Sequence, residues 1–418
     1  MEDRLSAYII DKKSEIKLID VKERLIEVTP TKDFIISVTG PRRSGKTYFL
    51  YYLLKDKKLK EEEYIFVNFE EIENSLEEIL LKHQEIYGKT PEFLFLDEIQ
   101  NLKNWEKEVY RVFEKKKYFV FITGSSSKLL SKEIATQLRG RTINVKIFPF
   151  SFKEVLKASN LLKKFYGSEE IGKIRNLLLE CLKKGSFPDI VLKKIEASTF
   201  MSDYIDLVVY KDIMERYGVK NRVALEFFIK NAIASASSIF SINKVYNAMK
   251  SLQIKASKNT IYNFQKFLED VGTVFFLKKF DRSVRKIETS LPKAYVVDNA
   301  LYTFSTYKHD ISVLMENFVF QELLKRNYEP NRNLYYFGNN YEVDFLILEK
   351  GKIFELIQVT YSSSKDEIEK REIKSLLKAS SLLKCKNLLI ITWDYEDEIK
   401  INNKKIVFKP LWKWLLQI

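Results

Sequence analysis

Over the first third of the chain, short apolar runs alternate with longer stretches of helical periodicity. Residues 34–39, 64–70, 93–98, 118–123 and 145–150 are rich in β-branched and aromatic side chains and read as buried strands. Between them, 48–54, 75–87 and 104–117 repeat their apolar positions at helical spacing, the last with Trp105, Val109, Val112 and Phe113 on one side. Such alternation predicts a mainly parallel sheet covered by helices. Ahead of it, Leu5, Tyr8, Ile9, Ile16, Ile19, Leu25 and Val28 predict a mostly helical segment closed at Pro30. Further on, 152–158, 174–184 and 198–213 read as helices. Three more helices follow, at 223–234, from 241, and from 257, before strands at 273–280 and 293–297. The last stretch pairs a helix at 314–324 with strands at 341–348, 353–361 and 388–392, a second α/β pattern. The predicted organisation is therefore 1–150, 151–220, 221–300 and 301–418.

The chemistry concentrates where the first strand ends. Gly40-Pro41-Arg42-Arg43-Ser44-Gly45-Lys46-Thr47 fits G-x-x-x-x-G-K-[ST], with a strand before it and a helix opening at Tyr48 after it. The glycines allow backbone angles and approaches that a Cβ would block. Loop N–H groups and the helix N-terminus can then face phosphates. Lys46 would reach the β- and γ-phosphates and the Thr47 hydroxyl would serve Mg²⁺. Residues 40–48 are thus expected to cradle ATP.

Four apolar residues run into Asp97-Glu98 at the C-terminal end of the third strand, the edge where open α/β sheets place their sites. Asp97 is expected to serve the metal and Glu98 to polarise the attacking water. After the fourth strand, Ser125, with Ser126 as second choice, is expected to bond the γ-phosphate or the lytic water, unless these serines only cap the next helix. Arg139 and Arg141 are expected to stabilise transition-state charge, in their own site or in a neighbouring copy's.

These motifs, with Thr123-Gly124-Ser125-Ser126 and 148–154, follow one another in an order that resembles the prokaryotic AAA-type ATPase family whose AAA domain precedes a C-terminal domain of unknown function. Gly185-Ser186-Phe187-Pro188, Tyr210-Lys211-Asp212-Ile213 and Val296-Val297-Asp298-Asn299-Ala300-Leu301 extend the resemblance over nearly the whole chain. It implies a P-loop NTPase sheet with a helical lid over 151–220, and ATP binding and hydrolysis.

Composition adds a partner. The net charge is +14 with 71 Lys and Arg against 57 Asp and Glu, which favours a polyanion over a neutral partner. A heat-adapted surface is the other reading; only 12 Gly and 8 Pro fit it. Helix, turn, helix and hairpin over 221–300 resembles a winged helix. Lys258, Asn259, Tyr262 and Lys266 would lie on its reading helix, and Lys278, Lys279, Arg282, Arg285, Lys286 and Lys293 on its wing. Nucleic acid is the expected partner, duplex DNA first; a protein partner and a homo-oligomer stay open.

The strand order of 301–418 resembles the PD-(D/E)XK nuclease fold, with Glu316 and Asp344 at matching positions. The E-x-K expected on the next strand is Gln358-Val359-Thr360, so the centre is expected to be degenerate. Competing functions are a nucleotide-gated switch on protein partners and an ATP-dependent nuclease. His83 and His309 are the only histidines, too few for a His-based zinc site; His83 is expected to be solvated. Cys181 and Cys385 are expected to be buried small hydrophobes. No apolar run approaches the ~20 residues of a membrane span. The expected setting is the cytoplasm, away from membranes.

Overall fold

Four of the expected strands form because their side chains are buried on both faces, which suits parallel pairing. They are β1 (Ile35–Thr39), β2 (Tyr64–Asn68), β3 (Phe93–Asp97) and β4 (Phe119–Thr123). The computed structural model describes residues 2–124, 138, 140–164, 166–338, 341–364, 366, 368 and 370–418. In it these strands and β5 (Thr142–Lys146) pair in parallel in the order β2-β3-β4-β1-β5. β5 lies three residues before the expected 145–150. It is an edge strand with Ile143 42% exposed, so its apolar alternation is weak. The apolar run that drew the expectation is the buried stretch where the chain leaves the sheet, with Ile147 N–H donating to Thr39 O at 2.7 Å.

Helices α1 (Glu2–Leu18), α3 (Leu76–Tyr87) and α4 (Trp105–Glu114) bury Ile9, Ile79 and Val109 against Ile35, Ile65, Leu94 and Val120. On the other face, α2 (Lys46–Asp56) buries Phe49 and Leu50 against Ile36, Val38 and Phe66. Phe93 and Phe95 stack on Phe119 and Phe121 across β3 and β4, ring centroids 4.7 and 4.9 Å apart. The N-terminal segment is helical only to Leu18; residues 19–30 form neither helix nor strand. His83 is buried, not solvated: it sits on the face of α3 that carries Leu76, Ile79 and Leu80. Its Nε2 lies 3.1 Å from the buried Lys13 Nζ and 3.1 Å from Tyr64 O.

The chain folds as two compact units, Met1–Phe148 and Pro149–Ile418. The second begins with α5 (Phe152–Ala158), α6 (Ser168–Lys184) and α7 (Ala197–Leu207), the last continued by a π-helical stretch, Val208–Glu215. Next come α8 (Arg222–Ala234), β6 (Ser238–Ile239), α9 (Ile242–Ser251), α10 (Lys258–Asp270), β7 (Val274–Leu277), α11 (Val284–Thr289) and β8 (Lys293–Val296). The three strands form an antiparallel sheet in the order β6-β8-β7. Helices α12 (Asn299–Thr306) and α13 (Ile311–Lys325) lead into a six-stranded mixed sheet in the order β13-β14-β12-β11-β10-β9. Its strands are β9 (Leu334–Gly338), β10 (Glu342–Glu349), β11 (Lys352–Val359), β12 (Asn387–Thr392), β13 (Asp397–Ile401) and β14 (Lys404–Pro410). Helix α14 (Lys370–Leu383) packs Leu376 and Ala379 against Leu346, Leu356 and Ile390.

The two sheets of this unit are joined directly. Past β7, Phe280 N–H donates to Tyr336 O (2.8 Å) and Tyr336 N–H to Lys278 O (3.2 Å), so the tail of β7 pairs with β9. Cys181 and Cys385 are buried and unbridged, as their sequence context suggested. Among the described residues, no helix is long and apolar enough to cross a membrane.

Candidate functional site

The phosphate loop leaves β1 and enters α2 through a left-handed Gly45 (φ 91°). Gly40 (φ 150°) is a second position that excludes a side chain: a Cβ there would lie 2.0 Å from Ile147 O. Lys46 is buried and donates to the loop's own carbonyls, Gly40 O (3.1 Å) and Pro41 O (2.9 Å). Ser44 is fully buried, and its Oγ has no hydrogen-bond partner among the described residues. Tyr48 stands exposed in the first turn of α2, its ring edge-on to Tyr51.

The structure brings Asp97 to this loop. Its Oδ2 accepts from Thr47 Oγ1 at 2.9 Å, and its Oδ1 accepts from Thr123 Oγ1. Burial pushes the Asp97 carboxyl up to about 6, with the two hydroxyl donors pulling the other way. Glu98 follows in a left-handed conformation (φ 49°), a strained setting for a non-glycine residue. Its N–H donates to Thr123 Oγ1 (3.2 Å), and its carboxylate accepts from Gln100 Nε2. One threonine at the end of β4 thus holds both acids. Ser125, Ser126 and Arg139 lie outside the described residues.

Arg141 is placed where it cannot serve this chain's own loop. Its carbonyl accepts from Ile35 N–H (2.9 Å) at the start of β1, whereas the loop leaves the far end of that strand. At ~3.3 Å per residue, a five-residue strand separates them by on the order of 15 Å. Its guanidinium pairs with Glu114 and lies over the Tyr110 ring.

Arg24 is a contact the sequence did not suggest. It is buried, donating from Nη1 to Ser44 O (3.0 Å) and from Nη2 to Phe148 O (2.8 Å). One planar fork therefore ties the phosphate loop to the last residue of the first unit.

In the second unit, Lys258, Asn259, Tyr262 and Lys266 are exposed along α10, whose N-cap Ser257 accepts from Thr260 N–H. The expected wing is not a bare hairpin. Lys278 and Lys279 are half-buried, and Lys278 pairs with Glu288 at 2.5 Å. Lys286 lies 3.9 Å from Asp281. Arg282, Arg285 and Lys286 are exposed in the loop and on α11.

Lys293 departs most from expectation. It is not a wing charge: its side chain is 3% exposed, at the start of β8. Its Nζ lies 3.0 Å from Glu316 Oε1 on α13, 3.1 Å from Asp344 Oδ1 and 2.5 Å from Glu342 Oε1 on β10. Tyr295 OH also donates to Glu316 Oε1 (2.7 Å). Asp344 Oδ2 accepts from Val359 N–H at 2.9 Å. Burial, then the Asp344 charge, pushes Glu316 up to about 7. Gln358 is buried beside this cluster on the strand paired with β10, and its Oε1 has no partner among the described residues. Thr360 lies one position past β11, half-buried, with its N–H donating to Ile391 O.

With this geometry in hand, comparison with known proteins places the chain. Residues 32–156 match the AAA domain family, 175–310 a domain of unknown function (DUF8612), and 313–414 another (DUF4143). The uncharacterized protein MJ1544 of Methanocaldococcus jannaschii is 38% identical over 432 residues, covering 100% of this chain and 93% of that one. The chain belongs to this family of AAA-domain P-loop ATPases. A Haemophilus influenzae protein is 28% identical over 407 residues, covering 94% of this chain and 97% of its own length. Among solved structures, the Walker-type ATPase PABY2304 of Pyrococcus abyssi aligns with a TM-score of 0.41 at 14% identity, over 66% of this chain and 91% of that one.

In this AAA-domain chain, two of the remaining sequence motifs meet. Asp298 accepts from Ser186 N–H (2.7 Å), Ser186 Oγ (3.1 Å) and Ala300 N–H (2.9 Å), capping α12. A Cβ on Gly185 (φ 85°) would lie 1.8 Å from Asp298 Oδ1. Asn299 Nδ2 bonds Leu182 O and Leu314 O, and its Oδ1 accepts from Asn317 and Gln321. These buried amides join α6, α12 and α13, a packing role.

Proposed function

We propose that this AAA-family chain binds ATP with Mg²⁺ at residues 40–48 and hydrolyses it, using the nucleotide state to rearrange Pro149–Ile418 on nucleic acid. The observation that carries the first step is the convergence of Lys46, Thr47 and a buried Asp97 at one glycine-lined loop. The residues suit the cofactor: a loop with no room for a Cβ at Gly40, an orphaned buried hydroxyl at Ser44, and a carboxylate bonded to the Thr47 hydroxyl.

Lys46 would exchange two neutral carbonyl acceptors for phosphate oxygens, a gain in charge pairing. Thr47 and Asp97 would hold the metal, which supplies charge neutralisation on the phosphates. Glu98, oriented by Thr123 and Gln100, would take the proton of the attacking water. Arg139, or a neighbouring copy's Arg141, would supply the arginine for transition-state charge.

For the second step, support comes from the order helix–strand–helix–helix–strand–helix–strand of α8 to β8, that of a winged helix with the short helix α11 inserted in its wing. The exposed Lys258, Asn259 and Tyr262, with Arg282, Arg285 and Lys286 nearby in sequence, would contact phosphates and base edges. The deciding experiment is steady-state ATP hydrolysis with and without duplex and single-stranded DNA and RNA, with Glu98→Gln as control. Stimulation by one polymer supports the reading and names the substrate class. Hydrolysis indifferent to every polymer removes the nucleic-acid step, and no hydrolysis removes both.

A further inference from the structure

The nuclease-like strand order implies a divalent ion between Glu316 and Asp344, and the residues present do not fit one. The place equidistant from the two carboxylates already holds an ammonium, 3.0 Å from Glu316 Oε1 and 3.1 Å from Asp344 Oδ1. Protein donors take two of these oxygens as well: Tyr295 OH shares Glu316 Oε1 with the ammonium, and Val359 N–H takes Asp344 Oδ2. The next strand offers a neutral amide, Gln358, where the nuclease pattern has an acid, and the third carboxylate of the cluster, Glu342, is half exposed and already pairs with the ammonium. Among the described residues, no group of three or more His, Cys, Asp or Glu is arranged to hold a metal.

We infer that Lys293 is the resident cation of this centre, standing in for a divalent ion and fastening strand β8 to helix α13 and strand β10. The ammonium is tethered, so it cannot diffuse away as a metal can. A divalent ion would have to enter a buried pocket within ~3 Å of a fixed positive charge, where the low dielectric leaves repulsion poorly screened. Burial alone would lower the Lys293 pKa, but the carboxylates of Glu316, Asp344 and Glu342 outweigh it and hold the ammonium well above the usual lysine range. The centre therefore keeps its cation at any physiological pH. It serves as a joint between the two sheets, with no place for the metal that phosphodiester cleavage would use. The inference does not depend on whether the first unit hydrolyses ATP.

The test removes the ammonium and keeps the stem. Lys293→Met, measured by Mn²⁺ binding in equilibrium dialysis and by electron paramagnetic resonance, is expected to gain one Mn²⁺ per chain at least about tenfold tighter than the unaltered protein. The gained site is expected to disappear in the Lys293→Met, Asp344→Asn double variant. Equal Mn²⁺ binding by the unaltered protein, or none by a folded Lys293→Met, overturns the inference. Should the variant not fold, the full unaltered chain still decides. Radicals generated by Fe²⁺ cut backbone near bound iron, so cuts at 342–346 or 357–360 would place a metal there and overturn the inference. Their absence, with cuts near Asp97 when ATP is present, supports it.

Discussion

Two of the buried lysines, Lys46 and Lys293, lie near buried carboxylates and do opposite things. Lys46 at the phosphate loop donates to neutral carbonyls, while the nearby Asp97 is satisfied by two hydroxyls. Lysine and acid each bond neutral partners, and the Lys46 charge pulls the Asp97 carboxyl down against its burial. Such a site can exchange its contacts for phosphate and metal at small cost. Lys293 instead sits among Glu316, Glu342 and Asp344, and its charge is already compensated. The contrast teaches that a lysine beside acids marks a ligand site only while its partners are weaker than the ligand it would take.

Substitutions can break this comparison. The largest effect is expected at the loop. Glu98→Gln should leave ATP affinity intact and lower kcat on the order of 10²–10⁴-fold, read by steady-state hydrolysis. Lys46→Ala should weaken nucleotide binding itself, read by fluorescent-nucleotide titration. If both variants behaved alike, Glu98 would have no role separate from binding.

Lys293→Ala should cost about 3–5 kcal/mol of stability, because it leaves buried carboxylates without their cation. Denaturant unfolding of the whole chain reads this, and the corresponding loss at Lys46 should be clearly smaller. Equal losses would mean that the two lysines are both structural. Arg24→Ala should raise KM for ATP about tenfold, since charged hydrogen bonds contribute about 1.5–3 kcal/mol each. Arg24→Lys should recover part of it, and an effect on melting alone would make Arg24 a packing residue.

The smallest effect concerns Asp298, whose carboxyl burial pushes from 3.8 up to about 6. Between those values the folded chain keeps a proton that the unfolded chain has released. Stability therefore falls as pH rises through that window. Compared with Asp298→Asn, the unaltered protein should lose about 1–3 kcal/mol between pH 4 and 6, read by melts across pH. A parallel pH profile in the two proteins would show that the carboxyl is not perturbed.

What was legible in the sequence was contiguous. The loop 40–47, the strand running into Asp97-Glu98 and the alternation of the first sheet all depend on neighbours in the chain, and the sheet is parallel with four of its five strands where expected. What was missed depends on distant partners. Arg24 meets Ser44 and Phe148, 20 and 124 positions away. Lys293 follows a basic stretch and read as one more surface charge, but its acids come 23 and 51 positions later. Thr123 looked like the end of a strand, because nothing local announces that its hydroxyl serves both acids. β5 was misplaced because a half-exposed edge strand leaves a weak pattern beside a strongly apolar exit.

The pairing of the β7 tail with β9, together with Lys293, bears on how this chain can be dissected. A fragment ending near residue 300 would carry the ammonium without its acids and an unpaired strand edge at 278–280. A fragment beginning there would carry the acids without their cation. Each half should expose what the other covers and precipitate or swap partners. The piece to express for binding studies is the whole of Pro149–Ile418.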